Sequence, residues 1–184
     1  MAILNILYGP SPLFKEKAAP LGQIGAEEQQ LASDMLETLY DYRGIGLAAP
    51  MVGISKRVIV VDLQQEGVRM PFIMFNPEIT WRSKDETINE EASLSFPGIS
   101  AEIKRPKSIK LTYQDKQGTQ KELEASDWFA TVIQHEMDYL EGRIYLDHLS
   151  KMKRDRLLKK MQKTVKQHQH QSSCGDQSCG HEHH

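Results

Sequence analysis

The residues best equipped for chemistry lie in one hexapeptide, Gln134-His135-Glu136-Met137-Asp138-Tyr139. Metal-dependent hydrolases often place two histidines at i and i+4 on a helix face, with a glutamate after the first. Both imidazoles then reach one ion, and the carboxylate reaches the bound water as general base. Here His135 and Glu136 are present, but position 139 is tyrosine. On its own, a lone His-Glu pair on a buried helix is more often structural than catalytic.

A second concentration of ligand types closes the chain. Cys174, Cys179, His181, His183 and His184 form C-x4-C-x-H-x-H-H, and residues 168–184 hold five of the seven histidines and both cysteines. Thiolate and imidazole together suit zinc, nickel or copper, and a flexible tail can fold around an ion. A purification tag is the plain alternative, although interleaved cysteines are not usual in one. With both cysteines in the tail, residues 1–167 have neither a disulfide nor thiol chemistry.

The elements that must position these groups can be read from periodicity. Residues 26–42 carry Leu31, Met35, Leu39 and Tyr42 at helical spacing. Residues 57–63 read as a buried strand, with further strands near 72–75, 79–82, 103–104, 108–113 and 120–124. Ser126-Asp127 offers an N-cap to a helix that Gly142 can end. That helix has one apolar stripe of Phe129, Ile133, Met137 and Leu140, and beside it Trp128, Val132, His135 and Tyr139. Two stripes place it in the middle of the domain. Residues 151–167 form a basic, exposed helix, and residues 168–184 a polar, flexible tail.

Composition sets outer bounds. The 184 residues, 39% hydrophobic and 26% charged, suit one domain of 1–150 followed by the helix and the tail. The first residues lack a basic region followed by an apolar run, so a cytoplasmic protein is expected, with no membrane partner. The net charge of −2 hides an asymmetry: residues 151–166 carry eight Lys or Arg against one Asp, leaving 15 positive and 24 negative residues elsewhere. Such a helix could attach to a polyanion, or could be only a solvated face.

Three segments taken together resemble the signature motifs of peptide deformylases. Gly44-Ile45-Gly46-Leu47-Ala48-Ala49-Pro50-Met51 resembles the first, Glu91-Ala92-Ser93-Leu94-Ser95 the second, and the His135 helix the third. Their order and separation agree, and the resemblance extends over residues 3–160. It implies an α+β fold with mixed or antiparallel strands around a central buried helix bearing the HExxH-type motif. It also implies a divalent ion, iron, zinc or nickel, held by a cysteine of the second motif and both histidines of the third. Glutamate activates the bound water, which attacks the formyl group of N-formylmethionyl peptides during translation. A glutamine of the first motif and the leucine N–H of the second stabilise the oxyanion.

Carried over residue by residue, the resemblance assigns Glu136 as acid/base, Leu94 N–H as oxyanion donor and His135 as ligand. Gly44, Ile45, Gly46, Glu91 and Leu94 become the substrate-binding segment, with Ile45 and Leu94 lining the methionine pocket. The departures fall on the chemistry: Ser93 replaces the cysteine ligand, Tyr139 the second histidine, Met51 the glutamine and Ala92 a glycine. A serine hydroxyl is a poor ligand, a phenol must first lose its proton near ~10, and methionine donates no hydrogen bond. The expectation is a groove for methionyl peptide N-termini or nascent chains, with little or no hydrolysis and with ribosome docking through the basic helix. Three alternatives stay open: hydrolysis at an unorthodox metal site, hydrolysis by a Ser93–His135 pair, and metal handling by the tail. The simplest fate for the vacated volume is a Ser–His–Tyr hydrogen-bond cluster.

Overall fold

A computed structural model describes residues 2–173. Seven strands and three α-helices build it: α1 (Ala26–Asp41), β1 (Gly46–Ala48), β2 (Val58–Val61), β3 (Phe72–Arg82), β4 (Glu86–Ser93), β5 (Phe96–Pro106), β6 (Ser108–Gln114), β7 (Gln120–Ser126), α2 (Asp127–Leu140) and α3 (Lys151–Ser173). Five strands form an antiparallel sheet in the order β1-β2-β3-β6-β7, and β4 and β5 form a separate hairpin. The α+β class and central helix expected from the sequence are what the fold has.

The reason α2 sits centrally is its sequence. Residues 130–140 are buried without a break, and the helix packs on β1, β2, β6 and β7 of the sheet and on both strands of the hairpin. Methionine and branched aliphatic residues fill the contact: Met35, Leu39, Val58, Ile59, Val60, Met74 and Ile133 are fully enclosed. A helix buried all round must be apolar on nearly every face or have its polar groups paired. Here Gln134, His135, Glu136 and Asp138 are the polar insertions.

Several local expectations change. The segments near 72–75 and 79–82 are one strand, β3, bent by register shifts between Phe75 and Glu78. Asn76 takes a left-handed φ of 48° at the bend, and its amide both accepts from Leu21 N–H and donates to Leu21 C=O and Gln114. That side chain anchors the bulge, a role turn statistics alone do not reveal. β4 is a full eight-residue strand where only the second motif was noted. Ser126 occupies the N-cap position of α2, but its side chain makes no capping bond. Asp127 instead turns the chain at φ 54° and its N–H donates to Lys107 C=O.

Trp128, expected in the second apolar stripe, is 40% exposed. The C-terminal helix also differs. It runs to Ser173 rather than 167, and one face is not exposed: Met161 is buried, with Leu157 and Leu158 partly so, against the core and β5. Lys151, Lys153, Arg156, Lys159, Lys160 and Lys163 stay on the solvent side. Among the described residues no helix is long and apolar enough to cross a membrane.

Candidate functional site

The three motif segments meet at one groove of about 430 Å³, within the range of small-ligand sites. Its walls come from Gly44, Ile45 and Gly46 before and in β1, from Glu90 through Leu94 in β4 and its turn, and from Trp128 through Glu136 on α2. Among the described residues, β1 pairs only with β2 and β4 only with β5. Each therefore presents an outer edge whose backbone groups lack a strand partner, and such edges accept an added strand.

Gly46 is where backbone and α2 come closest. A Cβ there would lie 2.5 Å from Glu136 Oε1, so no larger residue fits unless the carboxylate moves. Ile45 and Leu94 are half-buried beside it, and Val132 is buried.

His135 is buried, and its Nδ1 lies 2.8 Å from Glu91 Oε2. Glu91 lines the groove, but its carboxylate is already occupied: Arg105 Nε and Nη2 donate to its two oxygens at 2.6 and 2.9 Å. Arg105 Nη1 reaches Asp138 at 2.9 Å, and His148 Nε2 meets the same Asp138 oxygen at 2.7 Å. Burial penalises the Glu91 carboxylate, yet Arg105 and His135 hold its pKa below the ordinary value. The same contest with His148 and Arg105 lowers that of Asp138. The sequence had marked Glu91 but gave no role to Arg105, Asp138 or His148. A lone arginine beside Ile103 and Pro106 in a strand was the available signal.

Ser93 ends β4, and Leu94 and Ser95 make the turn into β5. Ser93 Oγ and the Tyr139 hydroxyl share a hydrogen bond of 2.7 Å, and Ser95 N–H donates to Ser93 Oγ at 3.2 Å. The expected Ser–His–Tyr cluster is thus a Ser–Tyr pair, and the His135 Nδ1 is paired with Glu91 instead. The expected Ser93–His135 nucleophile–base contact is likewise replaced by Ser93–Tyr139. Tyr139 is fully enclosed, its ring centroid 5.1 Å from that of Phe14 in a T-shaped contact, and burial pushes its phenol well above the ordinary tyrosine range.

Met51 also lines the groove, but its sulfur accepts from Ala48 N–H at 3.4 Å and turns back on its own turn of helix. Glu136 is 3% exposed, and its Oε2 has no hydrogen-bond partner among the described residues. Desolvation pushes this carboxyl up to about 7, with neighbouring His135 and Arg105 opposing the shift.

These residues do not fit a three-ligand ion. His135 offers one nitrogen to the groove, Ser93 a neutral hydroxyl, and Tyr139 a phenol held protonated by burial and committed to Ser93. Among the described residues no three His, Cys, Asp or Glu side chains converge where they could hold an ion. Cys174, Cys179, His181, His183 and His184 lie outside the described residues.

Comparison with known proteins agrees with the motifs. The family described as Polypeptide deformylase matches residues 3–155. The peptide deformylase of Phenylobacterium zucineum is 47% identical over 167 residues, covering 90% of this chain and 99% of that one. A protein of Rickettsia conorii named peptide deformylase-like is 45% identical over 173 residues, covering 92% and 94%. The crystal structure of an Acinetobacter baumannii peptide deformylase bound to Met-Ala-Ser superposes with a TM-score of 0.75 at 30% identity, covering 80% of this chain and 99% of that one. The chain belongs to the peptide deformylase family.

Proposed function

We propose that this chain binds the methionyl N-terminus of peptides in the groove between β1 and β4, and that it has lost the ion-dependent removal of the formyl group. The family membership supports the peptide as ligand, as does the Met-Ala-Ser bound to the Acinetobacter baumannii relative. Two free strand edges supply backbone hydrogen bonds, and Ile45, Leu94 and Val132 supply an apolar wall for the methionine side chain.

One observation carries the loss of hydrolysis: the 2.7 Å bond between Ser93 and Tyr139. It joins the two positions at which the resemblance calls for a thiolate and an imidazole, and it satisfies both hydroxyls with each other. The alternative, Ser93 as nucleophile with His135 as base, is disfavoured because neither is the other's hydrogen-bond partner. The exposed basic residues of α3 favour work in the cytoplasm near the ribosome, where phosphate is dense and nascent chains emerge.

The test is an assay of formyl-Met-Ala-Ser with the purified chain and added Fe(II), Ni(II), Zn(II) or Co(II), beside the double variant Ser93→Cys, Tyr139→His. The unmodified chain is expected to bind the peptide, seen as a melting shift, without releasing formate. The double variant is expected to release it. Turnover by the unmodified chain that disappears in Glu136→Gln overturns the proposal.

A further inference from the structure

We propose that a second cavity, on the face of α2 turned away from the groove, binds a small phosphorylated polyol. The site is independent of the peptide reading, since the groove and the cavity share no lining residue.

The cavity has a volume of about 490 Å³, within the range of small-ligand sites. Gln134, Met137, Asp138 and Glu141 line it, and their spacings of three and four put them on one face of the helix. The groove is lined instead by Thr131, Val132, His135 and Glu136. Five Arg or Lys side chains border the cavity against three Asp or Glu. In a chain with a net charge of −2 this is a local positive excess, and it favours an anion.

The uncommitted side chains decide which anion. Arg105 is held by Glu91 and Asp138, Arg57 by Glu141 and the C=O of Pro77, and Lys104 by Glu86. Two guanidinium groups remain. Arg82, exposed at the end of β3, has no ion pair among the described residues. Arg143 comes no nearer than 3.7 Å to Asp138, whose other oxygen already meets Arg105 and His148. A carboxylate has two oxygens and fills one guanidinium fork. The three terminal oxygens of a phosphate monoester can meet both forks.

Acceptors are also left over. Gln134 is 5% exposed, and its Nε2 donates to the C=O of Pro106 and of Ala130, each at 3.0 Å. Its Oε1 is then the atom without a partner among the described residues, and Glu78 makes no ion pair among them either. Both need a donor. An ammonium would bring one, but the surrounding positive charge opposes it, whereas a hydroxyl brings one without charge. No Phe, Tyr or Trp among the described residues borders the cavity, so nothing there stacks a nucleobase. A phosphate attached to a hydroxyl-bearing chain meets both halves of the site.

Calorimetric titration of the intact chain with ribose 5-phosphate, ribose and inorganic phosphate tests the assignment. Ribose 5-phosphate is expected to bind about tenfold tighter, or more, than either other probe. The double variant Arg82→Gln, Arg143→Gln is expected to weaken it by a similar factor with an unchanged melting temperature, because both side chains are exposed. Should that variant fail to fold, the three probes on the unaltered chain still decide the matter. Lys159→Gln with Lys163→Gln removes the same charge from the solvent side of α3 and is expected to leave binding as it was. If ribose 5-phosphate does not bind, or binds no tighter than inorganic phosphate, the proposal is overturned. A loss as large in the α3 variant as in the arginine variant overturns it too, since the attraction then belongs to a diffuse positive surface.

Discussion

At the scale of single residues, Tyr139 and Gly46 matter most. Tyr139→Phe removes the partner of Ser93 Oγ and leaves only the Ser95 N–H on it. The loss is expected to be about 1–2 kcal/mol, read as a lower urea midpoint with an unchanged slope. Gly46→Ala is expected to push the Glu136 carboxylate aside, because the added Cβ would lie 2.5 Å from Oε1, and to abolish Met-Ala-Ser binding in calorimetry. These contacts were partly legible beforehand. The resemblance implied that Ser93, Tyr139 and Met51 stand where the family pattern has other side chains, and their chemistry makes them weak ligands. It could not show that Glu91 captures the imidazole, since that depends on a strand register set by residues far along the chain.

At the scale of elements, the hairpin of β4 and β5 is clamped to α2 by Arg105. Its guanidinium is 4% exposed and bridges Glu91 on β4 to Asp138 on α2. Arg105→Met would leave Glu91 and Asp138 buried without the guanidinium between them, with His135 and His148 as their remaining partners. The expected loss is roughly 3–5 kcal/mol in denaturant unfolding, with weakened peptide binding because His135 loses its brace. A second clamp joins α1 to the end of β2, where the Tyr40 hydroxyl donates to Asp62 at 2.6 Å. Burial and that bond push Tyr40 up to about 12. Burial opposes ionisation of Asp62, but Tyr40, the N–H groups of Gln64 and Met70, and Arg69 outweigh it and lower its pKa. The Tyr40 contribution is complete below its unfolded value near ~10 and is lost as pH rises toward the folded value. The Asp62 contribution is complete above ~4 and is lost as pH falls further. Tyr40→Phe is therefore expected to flatten the alkaline limb of a stability-against-pH curve, and Asp62→Asn the acid limb. Periodicity had located α1 and the apolar run of β2, because burial on one face leaves a repeat. It missed most of β4, since Glu86–Ser93 alternates between exposed positions and a buried glutamate rather than an apolar one.

At the scale of the whole molecule, an acidic body carries a basic helix, and both are one folded unit. Met161 at 4% exposure docks α3 on the core, so Met161→Ala is expected to cost about 2–5 kcal/mol and lower the melting temperature. The sequence read α3 as wholly exposed because its many lysines mask a narrow apolar stripe. For Cys174, Cys179, His181, His183 and His184, two links to the groove were open from the sequence, completion of the site beside His135 or separate metal handling, and we propose the second. Removing residues 174–184 is expected to abolish most zinc or nickel binding measured by metal analysis, without changing Met-Ala-Ser affinity.

The proposed loss of hydrolysis rests on the claim that His135, Ser93 and Tyr139 do not make an ion site. Anomalous diffraction from crystals of the intact chain grown with excess zinc addresses it most directly. The expected map has no fully occupied ion touching these three side chains, and keeps Ser93 bonded to Tyr139. A full-height peak bonded to Ser93, His135 and Tyr139 together would contradict the claim and restore metal-dependent hydrolysis as the function.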